Sequence, residues 1–166
     1  GATVLMRTVG NAESVKLLLD HSAQVDTRDK SQKTALLWAA EARNLKSAEL
    51  LLAAKADANA GNSYGFTPLH SAVAASQKQL LELLLVNGAD PNIRDSNGMT
   101  PLDYTKAKLG NGIPTAGSFR QALGETPAKP EELAALLRQH GALDDLPNLD
   151  RIEVLRKAFI AMARDP

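Results

Sequence analysis

Gly65-Phe66-Thr67-Pro68-Leu69-His70 opens the stretch that decides the fold; Leu84-Leu85 and Gly88-Ala89-Asp90-Pro91-Asn92 complete it. Gly98-Met99-Thr100-Pro101-Leu102 begins the same pattern 33 residues on. Upstream, the same step of 33 carries Thr67-Pro68-Leu69 back to Thr34-Ala35-Leu36, Leu84-Leu85 to Leu51-Leu52, Ala89-Asp90 to Ala56-Asp57, and Asn92 to Asn59. A fixed period of this size signals stacked units, each burying its apolar face against the next. Stacked units offer a long open surface rather than an enclosed pocket, which favours binding over chemistry.

Each unit reads as turn, helix, turn, helix. In the third, Gly65 permits a tight turn, Thr67 caps the first helix, and Pro68 occupies the first helical position, where its missing N–H costs nothing. Leu69, Ala72 and Val73 share one face at spacing i, i+3, i+4. The second helix carries Leu80, Leu81, Leu83, Leu84 and Leu85, too dense for a single stripe, so it is expected to be buried on more than one side. Asn87-Gly88 ends it, with Gly88 as the left-handed residue.

Motif, order and period together resemble the ankyrin repeat over about Ala2 to Ala142. The resemblance implies an all-α, ankyrin-repeat α-solenoid: helix-turn-helix repeats with β-hairpin-like fingers, about four repeats plus a C-terminal helix. Repeats fall at about 1–30, 31–63, 64–96 and 97–142. It also implies a non-enzymatic module that binds another protein through its fingers and concave helix face. The alternative is an internal spacer or docking region of a larger enzyme or envelope protein, with its surface occupied in cis by another domain of the parent chain.

The units are unequal. Thr3-Val4-Leu5-Met6 lines up with Thr34-Ala35-Leu36-Leu37 at an offset of 31, whereas Leu18-Leu19 and Leu51-Leu52 differ by 33. Two residues are therefore missing between Met6 and Gly10, which predicts a shortened or distorted first helix. Lys55 stands where the third unit has Gly88; a left-handed lysine costs on the order of 1 kcal/mol, so a different turn is expected there. The fourth unit is interrupted: Thr67 to Gly88 spans 21 residues, Thr100 to Gly141 spans 41. The extra residues, at about 110–129, include four glycines and two prolines. A short helical turn is expected at Ser118–Leu123, with Phe119 and Arg120 as candidate contacts, since long loops in compact domains are commonly functional or disordered. The tail, 143–166, does not restart the motif. Ile152, Leu155, Phe159 and Met162 follow helical spacing, predicting a helix that caps the last repeat; the other reading makes Arg151–Val154 the first strand of a following region.

Composition narrows the function. Nineteen basic and nineteen acidic residues cancel, leaving no global basic field for a nucleic-acid backbone. The chain has no cysteine, which excludes thiolate catalysis, disulfides and cysteine zinc sites. No apolar run reaches the roughly 18 residues of a membrane span. Cytoplasm and periplasm both remain open. The start, Gly-Ala-Thr inside a repeat, reads as a fragment of a longer protein, expected to be monomeric.

No catalytic constellation emerges, and neither a cofactor nor a metal is expected. His21, His70 and His140 fall in different units. His70 resembles the family's histidine after Thr-Pro-Leu, whose imidazole ties neighbouring turns together. His140 suits a helix C-terminus and Glu131-Glu132 a helix N-terminus. Adjacent carboxylates such as Asp144-Asp145 do not face each other. The better candidates are finger-tip and first-helix residues. Lys30, Ser31 and Lys33 lie at the first junction, Ser63, Tyr64 and Phe66 at the second, Ser96, Asn97 and Met99 at the third. Trp38 and Tyr104 occupy equivalent helix positions. Tyr64 and Phe66 are two of only six aromatics, and aromatics dominate binding hot spots. Lys33, Trp38, Tyr64, Phe66, Met99, Tyr104, Phe119 and Arg120 are therefore the expected partner contacts. Small Ser71, Ala74 and Ala75 are expected to leave a shallow groove for a helix or extended peptide.

Overall fold

The computed structural model describes residues 2–110 and 128–144. Within them lie α1 (Val4–Arg7), α2 (Ala12–Asp20), α3 (Ala35–Glu41), α4 (Leu45–Ala53), α5 (Pro68–Ala74), α6 (Lys78–Val86), α7 (Pro101–Gly110) and α8 (Pro130–Gln139), and no strand. The odd-numbered helices pack side by side as one row, and the even-numbered helices form a second row behind them. Four helix pairs thus make one stack, with a single hydrophobic core running through it.

Local chemistry sets each boundary. Thr34 and Thr67 sit in extended conformation and cap α3 and α5 through their hydroxyls, accepting from Leu37 and His70 N–H. Asn11 and Asn44 cap α2 and α4 through their side-chain carbonyl oxygens, accepting from Ser14 and Ser47 N–H. The even helices all stop alike. Ala23, Ala56, Ala89 and Ala142 N–H return to Leu18, Leu51, Leu84 and Leu137 C=O at 2.9–3.0 Å, after a residue at positive φ or glycine. This is the Schellman arrangement, which satisfies otherwise orphaned carbonyls. Lys55 adopts φ 66° within it, close to Gly88 at 86°. The expected change of turn at Lys55 does not occur: two backbone bonds and the burial of Ala56 hold the lysine in the same left-handed conformation despite its cost.

Leu51, Leu84 and Leu137 are fully buried and belong to one continuous cluster. The density of leucines in α6 has the expected consequence: Leu80, Leu81, Leu84 and Leu85 are buried and Leu83 is half-buried. The first helix is short, four residues against seven in α3 and α5, as the missing pair of residues requires. Leu5 is nonetheless buried.

Polar clips join neighbouring turns. Asn59 Nδ2 donates to Gly88 C=O (3.1 Å) while its Oδ1 accepts from Asp90 N–H (2.8 Å). Asn92 repeats this on Gly141 and Leu143, so the fourth unit resumes the register across the interruption. Asp144 closes that unit: it takes Arg138 at 2.7 and 3.1 Å and lies 3.2 Å from Lys106. The Arg138 and Lys106 contacts pull its carboxyl down to about 2. The insert's Ser118–Leu123, the expected cap at 143–166 and the strand alternative at Arg151–Val154 lie wholly or largely outside the described residues.

Candidate binding surface

Between consecutive units the chain makes a closed finger. Asp29, Asn62 and Asp95 N–H donate to Lys33, Phe66 and Met99 C=O at 3.0–3.1 Å. In each, one side-chain oxygen of the first residue accepts two finger amides at 2.8–3.1 Å: Ser31 and Lys33 on Asp29, Tyr64 and Phe66 on Asn62, Asn97 and Met99 on Asp95. Gln32, Gly65 and Gly98 supply the positive φ that the tight turn needs. Gly65 has a further reason to lack a side chain, since a Cβ there would meet Arg94 C=O at 3.2 Å.

The fingers are also joined to each other. Ser63 N–H donates to Ser31 C=O (2.9 Å) and Ser96 N–H to Tyr64 C=O (2.7 Å). Backbone bonds thus hold the three tips in a row.

Trp38 and Tyr104, both half-buried, point their donors at their own finger. Trp38 Nε1–H donates to Asp29 Oδ2 (3.0 Å) and the Tyr104 hydroxyl to Asp95 Oδ2 (2.5 Å). Burial raises the Tyr104 hydroxyl, helped by the Asp95 hydrogen bond and charge, to about 12. Burial alone would raise the Asp95 carboxyl too, but the Tyr104 hydroxyl and the Met99 and Asn97 amides outweigh it and lower its pKa. Lys33 Nζ stands 5.0 Å over the Trp38 ring and 2.8 Å from Glu41 Oε2.

His70 is fully buried. Its Nδ1 accepts from Thr67 N–H (3.2 Å) and from the Thr67 hydroxyl (2.8 Å). A backbone N–H can only donate, so the ring proton sits on Nε2 and reaches Met99 C=O in the next unit (3.1 Å). Burial lowers its pKa, against smaller opposing effects from the Met99 bond and the Asp95 charge. The linking role expected for this histidine is what the geometry supports. Asp103 fills the same position in the fourth unit, taking Thr100 N–H and hydroxyl at 3.0 and 2.9 Å.

The expected contacts separate by burial. Tyr64 is 67% exposed at the tip of the central finger. Phe66 is half-buried, its ring 5.2 Å from His70 and 5.8 Å, edge-on, from Tyr104. Met99 and Lys33 are half-buried. Ser71, expected to help line a groove, is buried; Ala74 is exposed and Ala75 half-exposed. Phe119 and Arg120 lie outside the described residues. The finger bases Asp29, Asn62 and Asp95 escaped the sequence reading, although their spacing of 33 was there to be seen. Among the described residues no cluster of potential metal ligands occurs, and no helix is long and apolar enough to cross a membrane.

Paired helices, Schellman stops, interlinked fingers and one shared core define a helical-repeat solenoid. Two family models match it: one described as ankyrin repeats (3 copies) matches residues 1–62, and one described as ankyrin repeats (many copies) matches residues 51–104. The chain belongs to the ankyrin-repeat family, whose members are generally protein–protein interaction modules and typically non-enzymatic. No curated protein matches the chain.

Proposed function

We propose that this chain captures a partner protein through the row of finger tips and the adjoining face of α3, α5 and α7, centred on Tyr64. The observation that carries this reading is the exposure of Tyr64 on a finger fixed from both sides by backbone bonds. A large aromatic held out to solvent on a rigid support gains contact area at little entropic cost. Exposed Lys30, Ser63, Ser96 and Asn97 supply polar groups around it, in keeping with an apolar centre and polar rim. The groove-side alanine Ala74 leaves room for a helix or extended segment.

The test is affinity for a protein recovered from the source cells on the immobilised chain. Tyr64→Ala is expected to weaken binding by more than about 1 kcal/mol, the ordinary hot-spot threshold, with its urea unfolding curve unchanged. Unaltered affinity would exclude the finger row as the contact surface.

A further inference from the structure

The three fingers, residues 28–33, 61–66 and 94–99, carry four cations and two carboxylates. Both carboxylates are turned inward. Asp29 and Asp95 each accept two amides of their own finger and one donor from the first helix, Trp38 or Tyr104. The cations are turned outward. Arg28, Lys30 and Arg94 are exposed, and Lys33 is held by Glu41. Among the described residues no carboxylate lies within ion-pair distance of Arg28 or Lys30. The acidic residues of the adjoining turns, Asp26, Asp57 and Asp90, accept Asp57, Asn59 and Asn92 N–H instead.

Two of these cations flank the central finger, which has no charged residue of its own. Arg28 Nη1 donates across to Gly61 C=O (3.2 Å), at the base of that finger. Gly61 in turn lies against Gly65, where a Cβ on Gly61 would meet the Gly65 carbonyl carbon at 2.9 Å. On the other side Gly65 lies against the Arg94 backbone carbonyl, and Arg94 Nη1 donates to Gly98 C=O (2.6 Å). Lys30 precedes Ser31, whose C=O accepts Ser63 N–H beside Tyr64 (2.9 Å). The exposed Tyr64 ring therefore stands on an uncharged finger with cationic neighbours.

We propose that the segment captured by the finger row is acidic, a refinement that rests on the reading of that row as the contact surface. The segment sets an apolar side chain on Tyr64, one carboxylate against Arg28 and another against Lys30. The Gly61 carbonyl takes one N–H of Arg28 and none of its charge. A guanidinium anchored in this way presents the rest of its fork in a fixed direction, which suits a carboxylate gripped by two parallel bonds. Lys30 adds a compact charge that favours encounter with an acidic segment and disfavours a basic one. Since the whole chain has no net charge, this preference belongs to the fingers and not to the overall field.

The test selects short random peptides on the immobilised full chain at low salt and measures the winners singly. They are expected to be net acidic. Arg28→Gln with Lys30→Gln should weaken them by about tenfold or more at low salt and by much less at high salt, because exposed charges are screened. Lys30→Gln alone, which removes no side-chain contact within the chain, should act in the same direction and guards against a finger disturbed by loss of the Arg28 bond. Tyr64→Ala should weaken the same peptides at both salt levels. Neutral or basic winners that still depend on Tyr64 would overturn the acidic segment and leave the finger row in place as the contact surface. Winners indifferent to Tyr64→Ala would remove the finger row itself, and the acidic segment with it. Displacement of the peptides by single-stranded DNA of matching charge would also overturn the proposal, for the fingers would then be answering to any polyanion.

Discussion

Asp29 and Trp38 are joined by a 3.0 Å hydrogen bond from the indole to the carboxylate, and Asp95 and Tyr104 repeat the relationship two units later. In both cases the other carboxylate oxygen holds two finger amides. One carboxylate therefore couples the finger to the face of the first helix. The unit between has Asn62 and Ser71 in these places. Its finger keeps the two amide bonds but has no aromatic latch, and relies on its neighbours through Ser31 and Tyr64 C=O.

Tyr104→Phe should remove that latch in the fourth unit. A hydrogen bond to a charged acceptor contributes about 1.5–3 kcal/mol when buried; at this half-exposed site about 1 kcal/mol is expected. The pH dependence is more specific. With the folded hydroxyl at about 12 against an ordinary value of 10.0, the contribution is complete below pH 10 and is lost as pH rises toward 12. Urea midpoints between these pH values should fall less steeply in Tyr104→Phe than in the parent. Parallel curves would show that Tyr104 does not titrate through this contact.

His70→Leu copies into the third unit what the second already has, since Leu37 is fully buried at the equivalent place. Leucine offers neither a donor to Met99 C=O nor an acceptor to the Thr67 N–H and hydroxyl, and unsatisfied buried polar groups cost about 1–3 kcal/mol. The folded pKa of His70 lies below its ordinary 6.5, so the unfolded chain binds the proton more readily. Stability is then full above pH 6.5 and declines as pH falls below it. The variant should start less stable at pH 7.5 and lose less on acidification to pH 5. A steeper acid limb in the variant would contradict this linkage.

How far the sequence reaches is clear from these residues. Thr67, Pro68, Gly88 and the paired leucines have one local meaning each, and capping, helix start, helix stop and burial were all legible. Trp38 and Tyr104 were visibly equivalent, yet the partner of each lies nine residues back on a finger whose closure depends on tertiary packing. Tyr64 and Phe66 look alike in sequence; only the placement of His70 and Tyr104 beside the Phe66 ring separates them. Lys55 misleads for the opposite reason. Its local cost is real, but the two backbone bonds that close the end of α4 and the burial of Ala56 impose the conformation regardless.

Leu84→Ala should cost about 2–5 kcal/mol, as expected for a wholly buried leucine in the middle of the core. Leu18→Ala, the same position in the first unit, should cost less than half as much because Leu18 is only partly buried. Chemical denaturation of the two variants measures the difference. Equal losses would show that the first unit is packed as tightly as the third.

Lys55→Gly should stabilise the chain. The left-handed conformation at φ 66° costs a residue with a Cβ about 1 kcal/mol or more, and glycine is free of that cost. Glycine also widens the unfolded ensemble, which offsets roughly 0.5 kcal/mol of the gain. A net rise of about 0.5 kcal/mol in unfolding free energy is therefore expected. Lys55 is exposed and has no ion pair among the described residues, so no contact is lost with the side chain. Ser22, at φ 61° in the first unit, provides the control: Ser22→Gly should give a smaller effect, because a weakly held end of a stack opens before the whole unfolds. A destabilised Lys55→Gly would mean that the lysine stem covers the end of α4 and contributes more through packing than its backbone costs.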